Sequence, residues 1–347
     1  MQRPTDLPPP PGVKPVQGPR VWRWIVSGVI LIGLAAAAFY VPIPSFYAYL
    51  PGPVRDVEKL VEVEGAETYS SEGELLLTTV SVDVDVTFFD LVGALLDDDS
   101  DVVDSDSVTG GRSLKELERE QRDEMASSKR SAQEVALAAL DIARPHGDGA
   151  RVAIILDDTP AEESLEEGDR IVRVDGRRVE TSCDVGSAID RHEAGDTVEM
   201  TVVRDGSRRR LDIEAIANPQ GGTSAFIGFT MEDVNYRFDP GVEVGIDTGE
   251  IGGPSAGLMF TLAIYDQLTP DDLTRGRSIA GTGTIACDGG VGPIGGIRQK
   301  VAGAEEEGAT VFLAPAGNFE EAEAAAGEIE VVSVSDFTEA IEYLEGS

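Results

Sequence analysis

The sequence predicts an α+β chain behind one N-terminal transmembrane helix. Three observations carry this. Residues 25–41 (IVSGVILIGLAAAAFYV) hold no charge and are almost wholly apolar. Downstream, short stretches with period-two alternation interleave with stretches of strong helix formers. Turn signals such as Asp175-Gly176 separate them.

The chain has 347 residues, room for two compact domains and a membrane segment. Asp and Glu number 64 against 28 Lys and Arg, a net charge of −36. The basic residues form no stripe, so the surface repels phosphate backbones and a nucleic-acid partner is excluded. Such acidity fits a strongly solvated surface facing an ion-rich exterior. Cys183 and Cys287 lack the spacing of a zinc or redox pair and read as incidental small residues, with a disulfide between them left open. The only histidines are His146 and His192, and neither sits in a catalytic context.

Residues 1–24 read as a cytoplasmic tail, with a proline-rich start at 8–12. A helix over 25–41, at about 1.5 Å per residue, covers most of an apolar bilayer core of about 30 Å. Trp22 and Trp24 before it, and Tyr40, Phe46, Tyr47 and Tyr49 after it, form an interfacial aromatic collar. Arg3, Lys14, Arg20 and Arg23 face a single Asp6 on the N-terminal side, which puts the N-terminus in the cytoplasm and the remainder outside. The predicted location is the cell membrane, single-pass, with lipid contacted through 25–41. A cleaved signal peptide ending in the alanine run 35–38 is the competing reading.

Residues 42–144 are expected to form an extracytoplasmic strand and helix region. Alternation after Leu75 predicts strands, and 113–141 predicts one or two helices. Between them, Asp83 to Asp106 holds nine aspartates and no Lys or Arg, without the spacing of a calcium loop. No metal site is assigned.

From residue 145 to 217 the texture is strand, turn, short helix and strand, then helix and two strands. Thr159-Pro160-Ala161, Leu165, Gly168-Asp169, Ile171, Val174-Asp175-Gly176 and Gly195-Asp196 resemble the core of protease-associated PDZ domains. The resemblance implies a module that takes an extended C-terminal peptide as an added strand beside a glycine-containing loop. Gly147 and Gly149 are the expected loop residues. A structural spacer without a free groove is the alternative.

The segment 222–347 carries the chemistry. In GEIGGPSAGLMFTLAIYDQL a glycine-rich turn precedes a helix, with Pro254 at the first helical position and Ser255 in the first turn. A hydroxyl there lies beside unpaired backbone N–H groups, which favour a developing oxyanion. Further on, IGGIRQKVAGAEEEGA predicts a helix carrying Lys300 among apolar and glycine neighbours, the setting of a partly buried amine.

Ser255 in Gly-Pro-Ser-Ala-Gly, with Lys300 45 residues on after Pro293-Ile294-Gly295-Gly296, resembles the proteolytic domain of Lon proteases. Gly281-Thr282-Gly283 matches the strand whose threonine positions the lysine. The order membrane segment, PDZ, Lon domain resembles the membrane-anchored YlbL-type PDZ-Lon family over nearly all of the chain. The resemblance implies a serine endopeptidase with Ser255 as nucleophile, Lys300 as general base and Thr282 in support. It implies no cofactor or metal, polypeptide substrates, and a homo-oligomer, which in Lon domains is a hexameric ring. Two departures stand out. The family's acidic residue three positions before the serine is Gly252 here, so that either Glu250 substitutes or the charge is unnecessary. No G-x-x-x-x-G-K-[ST] loop is present, so cleavage is expected without ATP, on unfolded or terminal segments of exported or membrane proteins. A catalytically silent PDZ/Lon-like peptide-binding module is the rival reading.

Overall fold

The computed structural model of the protein describes residues 20–94, 96, 99–219, 225–249 and 251–346. The proline-rich start, Asp97 and Asp98 of the acidic stretch, and Glu250 lie outside them. The chain forms two compact units, one from residues up to Ala48 with Val82–Val108, the other from Tyr49–Ser81 with Thr109 onward.

In the first unit, helix α1 (Arg20–Tyr40) runs for 21 residues. None of its apolar window Trp22–Tyr40 is buried by protein, Ile30, Leu31 and Ile32 are exposed, and the helix is long and apolar enough to cross a membrane. Helix α2 (Phe88–Ala94) begins where the Asp90 carboxylate accepts from Thr87 N at 2.9 Å, and Phe89 stacks on Phe39 with centroids 3.9 Å apart.

The second unit contains strand β1 (Glu74–Leu77), in which Leu75, Leu76 and Leu77 are all buried, the signature of a strand covered on both faces. Helix α3 (Leu114–Ala139) follows as one 26-residue helix. A reciprocal capping box between Ser113 and Glu116 starts it, and Met125, Ala132, Val135, Ala136 and Leu137 line its buried face.

The chain then leaves this core and builds a second one. Strands β2 (Ala150–Ile155) and β3 (Arg170–Val174), helix α4 (Ser182–Ile189), and strands β4 (Thr197–Arg204), β5 (Ser207–Glu214) and β6 (Phe229–Asp233) form it. The sheet order is β5-β4-β3-β2-β6, which leaves β6 on an edge. Asp205 and Gly206, both with positive φ (50° and 76°), close the β4–β5 hairpin as the mirror-image turn requires. Ile171, Val185, Val198, Met200, Ile213 and Ile227 fill the core.

At Arg237 the chain returns. His146 N donates to Arg237 O at 3.0 Å and Arg237 N to His146 O at 2.9 Å, so the two connections run side by side. Helix α5 (Gly257–Gln267), strand β7 (Ser278–Gly281), the hairpin β8 (Thr284–Ile285) and β9 (Val291–Gly292), helix α6 (Ile297–Glu307), and strands β10 (Val311–Pro315) and β11 (Glu330–Val334) then form the main part of the C-terminal core. Strand β7 lies between β1 and β10, parallel to both, and β11 extends the sheet beyond β10. Leu75, Leu77, Met125 and Leu137 share one core with Phe260, Leu262, Ile264 and Leu313.

This redraws the expected organisation. Residues 42–144 are not a separate region: 49–81 and α3 belong to the C-terminal core, and the sheet of β2 to β6 is inserted into it. Residues 225–233, assigned from sequence to the C-terminal segment, also belong to this second core, because Ala225 and Ile227 are buried in it and β6 pairs with β2.

Candidate active site

Ser255 sits in a turn just before α5. The helix starts at Gly257 with Ala256 as its N-cap, so Pro254 and Ser255 precede the first turn rather than lie in it. Gly257 N closes the turn on Pro254 O at 3.2 Å. Position 257 must be glycine on packing grounds: a Cβ there would come 2.7 Å from Ile285 Cγ2 and 2.8 Å from Ser128 Oγ.

Lys300 lies on α6 and its Nζ reaches 2.8 Å from Ser255 Oγ and 2.9 Å from Thr282 Oγ1. The side chain is 3% exposed, with Ile297, Val301 and Ala304 buried around it. Among the described residues no carboxylate pairs with it. Burial in apolar surroundings disfavours the ammonium and brings its pKa from 10.5 down to about 7. Thr282 follows β7, is buried, and donates its hydroxyl to Ser255 O at 3.0 Å. Its oxygen in turn accepts from Nζ, as Ser255 Oγ does. The structure brings all three sequence-predicted residues together.

Backbone geometry supplies the rest. Ser255 O accepts from Gly283 N at 2.8 Å as well as from Thr282. Pro254 O accepts from Ser128 Oγ at 3.0 Å, and Gly253 N donates to Gln121 O at 3.0 Å. Among the described residues nothing accepts from the N–H groups of Ser255 and Ala256. Two such donors beside the Ser255 hydroxyl can hold a negatively charged oxygen. Sequence reasoning missed Ser128 and Gln121, because nothing local marks which face of α3 meets a loop more than 120 residues away. Gly252 is exposed, and a Cβ there would lie 3.2 Å from Gln121 Cβ, so a larger residue needs α3 to give.

The inserted domain differs from expectation at two points. Gly147 and Gly149 do not form an open loop. A Cβ at 147 would meet Glu180 O at 2.7 Å. One at 149, where φ is +106°, would meet Ile171 O at 2.3 Å. Their glycine identity is explained by close backbone packing. Strand β6 is one edge of the sheet, β5 being the other, and α4 lies beside β6. The second point is a disulfide between Cys183 on α4 and Cys287 in the β8–β9 hairpin, with Cα atoms 5.9 Å apart. These cysteines are a covalent link between the two cores, not incidental residues.

With this geometry in view, the comparisons with known proteins are direct. Residues 236–344 match the family model of the Lon protease (S16) C-terminal proteolytic domain, and residues 123–215 match that of the PDZ domain. The PDZ match begins inside α3, although α3 packs into the proteolytic core and the PDZ sheet itself begins at Ala150. A probable periplasmic serine endoprotease DegP-like from Ectopseudomonas mendocina is 37% identical over 40% of this chain and 32% of its own length. The Lon protease of Mycoplasma mobile is 33% identical over 33% of this chain and 14% of its own. The solved PDZ domain of an SdrC-like protein from Listeria monocytogenes is 30% identical, covering 24% of this chain and 87% of that one, with a TM-score of 0.23. The chain spans about a third or less of the length of the curated relatives it matches.

Proposed function

We propose that this chain, which carries a Lon-type proteolytic domain interrupted by a PDZ domain, is a membrane-anchored serine endopeptidase working by a Ser255–Lys300 dyad. The observation that carries the reading is the contact of 2.8 Å between Ser255 Oγ and a desolvated Lys300 Nζ whose pKa is about 7. Near neutral pH about half of such an amine is uncharged, the state a general base needs.

Ser255 Oγ attacks the peptide carbonyl as its proton passes to Lys300 Nζ. The oxyanion points at the N–H groups of Ser255 and Ala256. Lys300 then gives the proton to the leaving amine as the C–N bond breaks, and water resolves the acyl-enzyme by the same route reversed. Thr282 holds the amine in register throughout. Nothing in this sequence of steps needs a nucleotide or metal. Substrates are accordingly unfolded or terminal segments of exported or membrane proteins, already loose enough to reach the site. The free edge of β6 supports substrate selection by strand addition in the PDZ domain.

Helix α1 is consistent with a membrane anchor, and we place the N-terminus in the cytoplasm and the protease outside. Labelling with a fluorophosphonate tests the nucleophile: one adduct on Ser255 in the wild type, none in Ser255→Ala, and a strongly slowed reaction in Lys300→Ala. An equal rate in Lys300→Ala refutes the dyad. A cysteine placed at Leu60 and labelled from outside intact cells tests the topology.

A further inference from the structure

We propose that Ser128, on helix α3 upstream of the inserted PDZ domain, is a positioning residue that aims the Ser255 N–H at the oxyanion. The inference rests on the reading of Ser255 as nucleophile, and it brings a residue outside the matched proteolytic segment 236–344 into the machinery.

A serine inside a helix ordinarily turns its hydroxyl to water or back to a carbonyl one turn earlier. Ser128 does neither. It is buried, and its Oγ donates across the core to Pro254 O at 3.0 Å. That carbonyl and the Ser255 N–H belong to one rigid peptide plane and point in opposite directions. Holding the oxygen therefore fixes where the N–H points. The next plane is held in the same manner, because Gly283 N and Thr282 Oγ1 both grip Ser255 O and so orient the Ala256 N–H. The two N–H groups left without acceptors are thus the two whose planes are pinned from behind, one by α3 and one by the strand side.

Helix α3 holds the loop a second time, two turns earlier, where Gln121 O accepts from Gly253 N. This contact uses backbone, so α3 stays docked when residue 128 is changed. Gly257 N also donates to Pro254 O, at 3.2 Å. Loss of the Ser128 hydroxyl consequently frees the plane to tilt without collapsing the turn. Deleting an oxyanion donor outright costs about 10²–10³-fold in kcat. Misaiming one should cost less, roughly tenfold.

The test uses the full chain in detergent, with fluorescein-labelled casein as substrate and a peptide boronate as tetrahedral mimic. Rates are expressed per Ser255 titrated by fluorophosphonate, so an unfolded fraction drops out. For Ser128→Ala we expect kcat and boronate affinity to fall together about tenfold, with KM within about twofold and the pH midpoint of the rate unmoved. Ser128→Thr, which keeps the hydroxyl, should return both to within about threefold of wild type. The inference is overturned if Ser128→Ala keeps kcat and boronate affinity within twofold, if threonine fails as badly as alanine, or if the pH midpoint shifts, which would locate the effect at Lys300. A Ser255→Ala protein that cleaves casein like the wild type is a different result: it removes the nucleophile assignment, and the inference with it.

Discussion

Cys183, on the helix beside the free edge of the PDZ sheet, is bonded to Cys287 in the hairpin that follows Gly283, and Gly283 donates to Ser255 O at 2.8 Å. The bond spans 104 residues of sequence and joins two cores that otherwise meet through α3 and the paired connections at His146 and Arg237. A cross-link over so long a loop restricts the unfolded chain, typically stabilising by about 2–4 kcal/mol. The expected outcome is that the non-reduced protein shows no titratable thiol and the reduced protein two. Cys183→Ser combined with Cys287→Ser should lower the thermal midpoint by roughly 5–10 °C. Two free thiols in protein isolated from the cell envelope without reductant would remove the cross-link from the account.

The reaction should follow the titration of Lys300. Only the neutral amine accepts the serine proton, and burial has brought its pKa from 10.5 to about 7. The value of kcat/KM should rise about tenfold per pH unit below that point and level off above it. Thr282→Val removes both the acceptor for Nζ and the donor to Ser255 O, so we expect kcat to fall roughly 10–100-fold, with Thr282→Ser largely restoring it. A rate that climbs only near pH 10 would show an amine that is not desolvated in the working enzyme.

Much of this site was legible because its parts are local. Ser255 stands in a turn spelled by Gly253, Pro254 and Gly257, and Lys300 in a helix introduced by Pro293 and Gly296. Those residues set backbone direction and close approach over a few positions, and such constraints are written in neighbouring letters. The partnership of Ser128 with Pro254 is not. An amphipathic pattern shows that α3 has a buried face without saying what covers it. The insertion hid further relationships: β1 and β7 are sheet neighbours separated by some 200 residues, so the first half of the proteolytic core read as an independent region. The glycines at 147 and 149 misled for a related reason, since glycine serves a ligand loop and a crowded backbone crossing equally well.

Lys300 should cost the protein stability. Below pH 7 both folded and unfolded chains carry the charged lysine, and the folded one must bury it. Between pH 7 and 10.5 only the unfolded chain binds the proton, so the stability of the wild type rises with pH across that window. At 1.36 kcal/mol per pKa unit, the penalty near pH 7 is on the order of 4 kcal/mol. Lys300→Met, which fills the same apolar space without a charge, should therefore be inactive but more stable, with a higher denaturation midpoint at pH 6–7. Its advantage should shrink toward pH 10.5. A methionine variant less stable than wild type at pH 7 would contradict the desolvation of the amine.

The paired backbone bonds between His146 and Arg237 define where the PDZ domain can be removed. Residues bonded in this way in an antiparallel pair have Cα atoms about 5.5 Å apart, a gap that a two-residue turn spans. Replacing residues 147–236 by Asn-Gly, with Cys287→Ser to avoid a stray thiol, should leave a folded proteolytic core. It should still label at Ser255, because α3 with Ser128, β1, α5 and α6 are all retained. Deleting 145–217, the boundaries suggested by sequence, should not. It keeps β6 but removes β2, its sheet partner, and so exposes Phe229 and Met231, which pack against the PDZ core. Comparing fluorophosphonate labelling of the two deletions decides the matter: equal labelling, or the reverse order, would mean that the two cores are not nested as the strand pairing places them.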